Sequence, residues 1–245
     1  MGMIITLPDA DFSGQGFPTL TSFGAFPASG QERLFKMLAD ASKYTDSSVN
    51  NVAATLDTTA GGTPPTFASG ILSLPDTSGA SQYTRLLTAR ATPTAFTGVL
   101  LVKQKADRLM YLFRNANGNG ANCYISAGTL GYQFNNGTNR VGAIGAGSAP
   151  LNNWSVLAFA FDGTTVYGSK NGAAWSSVLY SAVGGAPSAA GDTLAIGGNQ
   201  AASSIYADIA LAGIWSRVLT SAELAGVYKA VKNVCRLSKT SIVLP

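Results

Sequence analysis

From Trp154 the chain reads WSVLAFAF, and apolar side chains fall on both parities of the run. In an extended strand Ser155, Leu157, Phe159 and Phe161 share one face, and Trp154, Val156, Ala158 and Ala160 share the other. A run that is apolar on both faces is covered on both, which places it in the middle of a packed sheet. The next residues, DGTTVYGSKNG, put Asp162-Gly163 between two β-forming segments and Asn171-Gly172 at the close of the second. An Asp-Gly pair in that setting predicts a hairpin with its bend at Asp162-Gly163. It suits a type I′ turn, which needs positive φ at both central residues.

Short runs broken by Gly, Pro and Asn recur from Val52 onward. They predict strands over 66–74, 83–89, 97–103, 108–114, 122–126, 131–134, 140–144, 154–161, 165–169, 194–197 and 205–215. NANGNG (115–120) and NNGTNRVGAIGAGSAP (135–150) have a loop-like composition. Two stretches have helical spacing instead. Ser29 and Glu32 stand three apart, as in a capping box, ahead of Leu34, Phe35, Leu38 and Ala41, which predicts a helix from about Gly30 to Lys43. Thr220 and Glu223 repeat the signal ahead of Leu224, Val227, Tyr228 and Val231. Lys229 and Lys232 fall in the last turns, where they suit the helix dipole. The expected fold is all-β, a two-sheet antiparallel jelly-roll sandwich with an N-terminal arm and helix and a short C-terminal helix. The expected organisation is a docking arm and helix over 1–50, the sandwich over 51–235, and an extended tail over 236–245.

Composition sharpens this picture in a few places. Charged residues make up 11% of the 245-residue chain, against roughly a quarter in an average domain. Together with 28 glycines and a positive mean hydropathy, this argues for many turns and for contact surfaces rather than long exposed helices. The net charge of +4 comes from scattered residues with two loose groups, Lys103, Lys105, Arg108 and Arg114, and Lys229, Lys232, Arg236 and Lys239. Without interleaved aromatics such groups are expected to be solvated faces, not a nucleic-acid surface. The longest uncharged apolar run, 156–161, is too short to cross a bilayer. The first residues have neither a basic start nor an apolar core, so no signal peptide is expected.

Candidate chemistry is sparse. Histidine is absent, which removes Ser-His and Cys-His nucleophile systems and the commonest metal ligand. Cys123 and Cys235 allow one disulfide but no zinc set. No Asp-rich loop offers calcium its several carboxylates. No cofactor or metal is therefore expected. The two glutamates, Glu32 and Glu223, both stand at capping-box positions. Asp162 is accounted for by its turn, Asp9 and Asp11 lie in the N-terminal arm, and Asp76, Asp107 and Asp192 stand alone in loop-like stretches.

The run WSVLAFAFDGTTVYGSKNG, then DTLAIGGNQ with its Ile196-Gly197-Gly198, then SIYADIALAGIWSRVLTSAELAGVY with Arg217, Leu219, Thr220 and Glu223, resembles the laminin-G-like (concanavalin A-like) jelly roll in order and spacing. The strong part covers Trp154 to Tyr228. The N-terminal ITLPDADFSGQG is similar to the start of laminin-G-like proteins in bacteriophage and prophage genomes. The resemblance implies two kinds of relative. Those that hydrolyse glycans carry a Glu-x-Asp-x-x-Glu type strand, and nothing like it occurs here, so an enzyme is not expected. Lectin relatives hold sugars at rim loops or on the concave face. On that reading Tyr132, Asn135, Asn136, Asn139 and Arg140 of YQFNNGTNR, with Trp175, are candidate glycan contacts. The bland alternative is a polar turn beside its strand.

The expected function is a non-enzymatic virion structural protein, in a capsid-surface, head-fibre or tail position. Its arm and tail anchor it to other virion proteins and to copies of itself, while the sandwich faces outward. The alternative is an adhesin that holds host-surface glycans, and a glycoside hydrolase comes third. Neither nucleic acid nor membrane insertion is expected.

Overall fold

The structure is a computed structural model that describes residues 24–37, 45–58, 63–77, 83–91, 95–115, 120–135, 139–179, 193–198, 204–238 and 241–245. In chain order the strands are β1 (Gln31–Phe35), β2 (Thr55–Thr58), β3 (Thr66–Ala68), β4 (Ile71–Ser73), β5 (Thr84–Ala91), β6 (Phe96–Gln104), β7 (Met110–Asn115), β8 (Gly120–Ser126), β9 (Thr129–Asn135), β10 (Asn139–Ser148), β11 (Trp154–Phe161), β12 (Thr165–Lys170), β13 (Ser176–Leu179), β14 (Thr193–Ile196) and β15 (Ala207–Trp215). One helix, α1 (Ser221–Leu237), follows. Every pairing is antiparallel. Eight strands form one sheet in the order β13-β12-β11-β6-β15-β4-β3, with β1 also on β15. Seven form the other, in the order β10-β9-β8-β7-β14-β5-β2. The expected two-sheet jelly roll is what the chain builds.

Two buried layers hold it together. Between the sheets lie Phe96, Leu100, Leu157, Phe159 and Phe161 from the larger sheet and Leu86, Leu112, Phe113, Cys123 and Tyr132 from the smaller. The ring of Phe113 enters the space above Gly98 of β6, where a β-carbon would lie 2.6 Å from its edge. The second layer lies on the outer face of the larger sheet. Val99, Leu101, Val156, Ala158 and Trp215 meet Leu224, Val227, Val231 and Cys235 of the helix there. The two apolar faces of β11 thus serve two cores. Cys123 and Cys235 belong to different layers and no disulfide joins them.

The helix begins as its sequence requires. Thr220 caps it, with the Glu223 N–H donating to Thr220 Oγ1 and the Thr220 N–H donating to Glu223 Oε2. Arg217 holds the same carboxylate through both oxygens, at 2.8 and 2.6 Å. The Arg217 and Glu223 of the sequence pattern thus form one end-cap.

Several sequence expectations change. The Gly30–Lys43 helix is not formed over its described part. Residues 31–35 are β1, paired with Trp215, Ile214, Gly213 and Ala212 of β15, and residues 38–44 lie outside the described residues. Glu32 therefore caps nothing, because the pairing offered by a long central strand outweighs a local capping signal. The 66–74 strand is a hairpin, β3 and β4, turned at Ser69-Gly70, both with positive φ. The loop-like 135–150 run is mostly strand β10, and β2 and β13 were not foreseen. The bend after β11 sits one residue later than expected. Asp162 pairs with Thr165, so Gly163 and Thr164 are central, and only Gly163 has positive φ. That is the pattern of type II′, not I′. The I′ pattern appears at Asn171-Gly172 instead, with φ of 54° and 72°.

The described parts of both chain ends lie on the helix side. The Trp215 indole N–H donates to Pro27 O at 2.7 Å. Gly24 sits so close to the helix that a β-carbon would be 2.6 Å from Lys229 Cβ. Tyr228 and Lys232 both donate to Pro245 O. No helix among the described residues is long and apolar enough to cross a membrane.

Candidate functional site

The sequence-chosen glycan contacts are not brought together. Tyr132 is 3% exposed, points into the inter-sheet core and stacks over Gly142. Trp175 lies on the far side of the larger sheet, against the helix layer. There its indole N–H donates to Leu219 O at 2.7 Å and its ring meets Tyr167 edge-on at 6.0 Å. A whole sheet separates the two. Asn135 and Asn139 face each other at the paired ends of β9 and β10, with Arg140 opposite Phe134. Asn136 lies outside the described residues.

The first basic group is not a solvated face. Lys103 and Lys105 both hold Asp208, Lys103 at 2.9 Å, and Arg108 meets Asp76 at 2.8 Å. Burial alone would raise the Asp208 carboxyl, but hydrogen bonds from Lys103, Lys105 and Ser73 outweigh it and hold the group below its ordinary range. Arg114, the fourth member, is buried at 6% exposure and belongs elsewhere.

Its place is the outer face of the seven-stranded sheet. In β8 the alternation is plain, with Cys123 and Ile125 in the core and Tyr124 on the opposite face. In β7 a register shift between Tyr111 and Phe113 breaks the parity. Met110, Leu112 and Phe113 all reach the core, while Tyr111 and Arg114, three residues apart, come together outside, as a β-bulge permits. The Arg114 guanidinium carbon lies 4.1 Å from the Tyr111 ring centre. The Tyr111 and Tyr124 rings meet edge to face at 6.3 Å and 79°. Tyr124 lies flat over Gly131 of β9, which must be glycine for the ring to fit, and its hydroxyl donates to Gly142 O at 3.3 Å. On the other flank Arg85 of β5 donates to Asp57 of β2 at 2.7 Å and lies 5.0 Å from the Tyr83 ring centre.

Burial raises the Tyr111 hydroxyl above its ordinary pKa, with Arg114 opposing. Tyr124 is raised mainly by burial, then by Tyr111, Cys123 and Tyr132. Both phenols stay protonated at neutral pH and can donate. This face therefore offers aromatic rings, phenolic donors and guanidinium groups, with Tyr83, Tyr124 and Gln133 half-buried at its lip. The composition is that of a polar-ligand surface with aromatic platforms. The helix lies on the other sheet, and among the described residues no second helix covers this one. A concavity of about 370 Å³ lies between the end of the helix and the tail, lined by Lys232, Arg236, Ile242 and Leu244 among others. It lacks any aromatic platform.

None of these residues was singled out as a ligand contact from the sequence. The signal in β8 was legible as Asn122 and Tyr124 against Cys123 and Ile125. The bulge in β7 hid the rest.

Among the described residues, six carboxylates are engaged by structural partners. Asp46, Asp57, Asp76, Asp162, Asp208 and Glu223 each accept hydrogen bonds from named partners. Among the described residues, each carboxyl with a resolved shift is lowered, whereas a general acid needs a raised one. No described group of His, Cys, Asp and Glu side chains could hold a metal ion.

A family model described as Laminin_G_3, concanavalin A-like lectin/glucanases superfamily, matches residues 76–225. No curated protein matches the chain in sequence. Among solved structures, domain 4 of AbnA, an extracellular arabinanase from Geobacillus stearothermophilus, in complex with arabinotriose, is similar with a TM-score of 0.64 and 17% identity, over 82% of this chain and 98% of that one. The receptor-binding domain of the botulinum neurotoxin C/D mosaic serotype gives 0.60 and 11%, over 83% and 52%. The binding domain of botulinum neurotoxin DC in complex with rat synaptotagmin II gives 0.59 and 11%, over 82% and 52%. The chain spans about half the length of these two toxin domains.

Proposed function

We propose that this chain, which belongs to the concanavalin A-like lectin/glucanase superfamily, is a non-catalytic carbohydrate-binding module whose sugar lies on the outer face of the seven-stranded sheet. The observation that carries this reading is the joint placement of Tyr111, Tyr124 and Tyr83 with Arg114 and Arg85 on the sheet face away from the helix, where Tyr83 and Tyr124 are half-buried and the other three buried. Sugars combine apolar C–H faces with many hydroxyls, and rings flanked by fixed donors match that chemistry. The complex of arabinanase domain 4 with arabinotriose supports it as a like fold with a sugar bound. The non-catalytic reading rests on described carboxylates committed to structural partners, of which Asp162, Asp208 and Glu223 are held low.

A glycan array on the intact protein, followed by titration of the best oligosaccharide, tests the reading. Tyr124→Ala should weaken binding about tenfold, near 1.4 kcal/mol. A Tyr124→Ala protein that binds like wild type removes this face from consideration.

A finer reading adds a setting. We infer that the module is carried by a bacteriophage particle, as a structural or host-attachment protein that meets other virion proteins. The N-terminal ITLPDADFSGQG stretch favours it. Mass spectrometry of purified particles should find the chain at stoichiometric abundance; recovery only in the soluble lysate rejects the setting and leaves sugar binding standing.

A further inference from the structure

Arg114 is the one described residue on the tyrosine face whose charge is left unanswered. Its side chain is buried, at 6% exposure, and among the described residues its Nε and Nη1 have no hydrogen-bond partner. Arg85, two strands away across β14, shows the ordinary solution. Its Nε donates to Asp57 at 2.7 Å, and that carboxylate is thereby committed. Arg114 has only the Tyr111 ring beneath it, at 4.1 Å. A cation–π contact stabilises a guanidinium by about 0.5–2 kcal/mol, and it fills none of the in-plane N–H donors. Removing a charged donor from water without an acceptor costs more than that. Burial lowers the Arg114 pKa, with Tyr111 opposing and the charge of Arg85 adding to the fall. The site thus holds a flat guanidinium seated on Tyr111, its Nε and Nη1 sealed from water and without a partner among the described residues. The complementary group is a planar anion with two acceptor oxygens, which a guanidinium takes edge-on through parallel bonds.

Resting on the carbohydrate reading, we propose that the sugar bound on this face is acidic, and that Arg114, seated on Tyr111, receives the carboxylate of a uronic-acid-type residue. Neighbouring neutral sugars would then stack on Tyr124. An acidic saccharide can also carry its charge as a sulfate ester, which is tetrahedral and fits the fork less well.

The test is calorimetric titration of the intact protein with three matched sets of oligosaccharides. These are a polyuronate, the same chain with its carboxyls reduced to alcohols, and a sulfated chain of equal charge. The expected result is polyuronate binding at least tenfold tighter than the reduced chain and tighter than the sulfated one, with affinity falling as salt rises. Arg114→Gln should remove the preference and bind polyuronate and reduced chain alike. Its thermal midpoint should stay level or rise, because an unanswered buried charge is gone. Equal binding of acidic and reduced chains by wild type, or a preference kept in Arg114→Gln, overturns the assignment while sugar binding stands. Tighter binding of the sulfated chain overturns the carboxylate in favour of sulfate. Binding of no saccharide at all overturns both this inference and the reading beneath it. The wild-type comparison of acidic with reduced chain decides the matter even if the variant does not fold.

Discussion

A β-carbon on Gly131 would stand 2.5 Å from Tyr124 Cε2, closer than any carbon pair tolerates. Gly131→Ala should therefore lift the Tyr124 ring off its seat, lower sugar affinity at least tenfold and destabilise the fold by about 1–3 kcal/mol. Titration beside thermal melting reads both, and an unchanged affinity would show that the ring's pose does not matter. A second single-residue effect concerns acid. Arg217's hydrogen bonds hold the Glu223 carboxyl at about 2, from an ordinary 4.5; burial opposes this, and Thr220 adds to it. A carboxyl depressed in the folded state contributes stability that is full above its ordinary pKa and lost as pH falls toward its folded value. Between pH 5 and pH 2 the wild-type melting temperature should fall more steeply than that of Glu223→Gln. Parallel curves would mean that the Arg217–Glu223 pair contributes nothing to folding.

Elements with a strong period were legible, and those decided by partners were not. The strand over 154–161 was read to its ends because both of its faces are apolar. The helix at 221–237 was read from Thr220 and Glu223, whose capping box is formed. Gln31–Phe35 carried the same capping spacing and became a strand, because β15 offers it a backbone ladder that no local signal reveals. The four-residue strands over 55–58 and 176–179 have too little alternation to stand out. The tyrosine face failed for another reason. It is assembled from side chains of β5, β7 and β8, and the bulge in β7 puts Tyr111 and Arg114 together against strict alternation. The helix also permits a test of its own. Leu224 is 1% exposed against the larger sheet, so Leu224→Ala should cost about 2–5 kcal/mol. Denaturant titration should show this as a lower midpoint, and a loss under 1 kcal/mol would mean the helix is only loosely seated.

At the scale of the whole molecule the two sheets have unlike duties. The larger one is covered on both sides, by the inter-sheet core and by the helix with the described ends of the chain. The smaller one carries tyrosines and arginines on its outer face, with Tyr111, Arg85 and Arg114 buried and Tyr83 and Tyr124 half-buried. Changes beneath the helix should then alter stability and leave sugar affinity alone, while changes on the tyrosine face should alter sugar affinity. The thiols offer a direct way to watch this division. Cys123 is sealed between the sheets and Cys235 beneath the helix, at 0% and 4% exposure. Burial pushes the Cys235 thiol up to about 11 and the Cys123 thiol further still. Neither reacts until its own layer parts, so the pair forms two clocks wired to two doors. Under mild alkylation at neutral pH, mass spectrometry should find Cys235 labelled first, since lifting one helix exposes less than opening a sandwich. Leu224→Ala should quicken that clock and leave the other nearly unmoved. If both thiols react at one shared rate, the doors are a single door, and helix and sandwich unfold as one body.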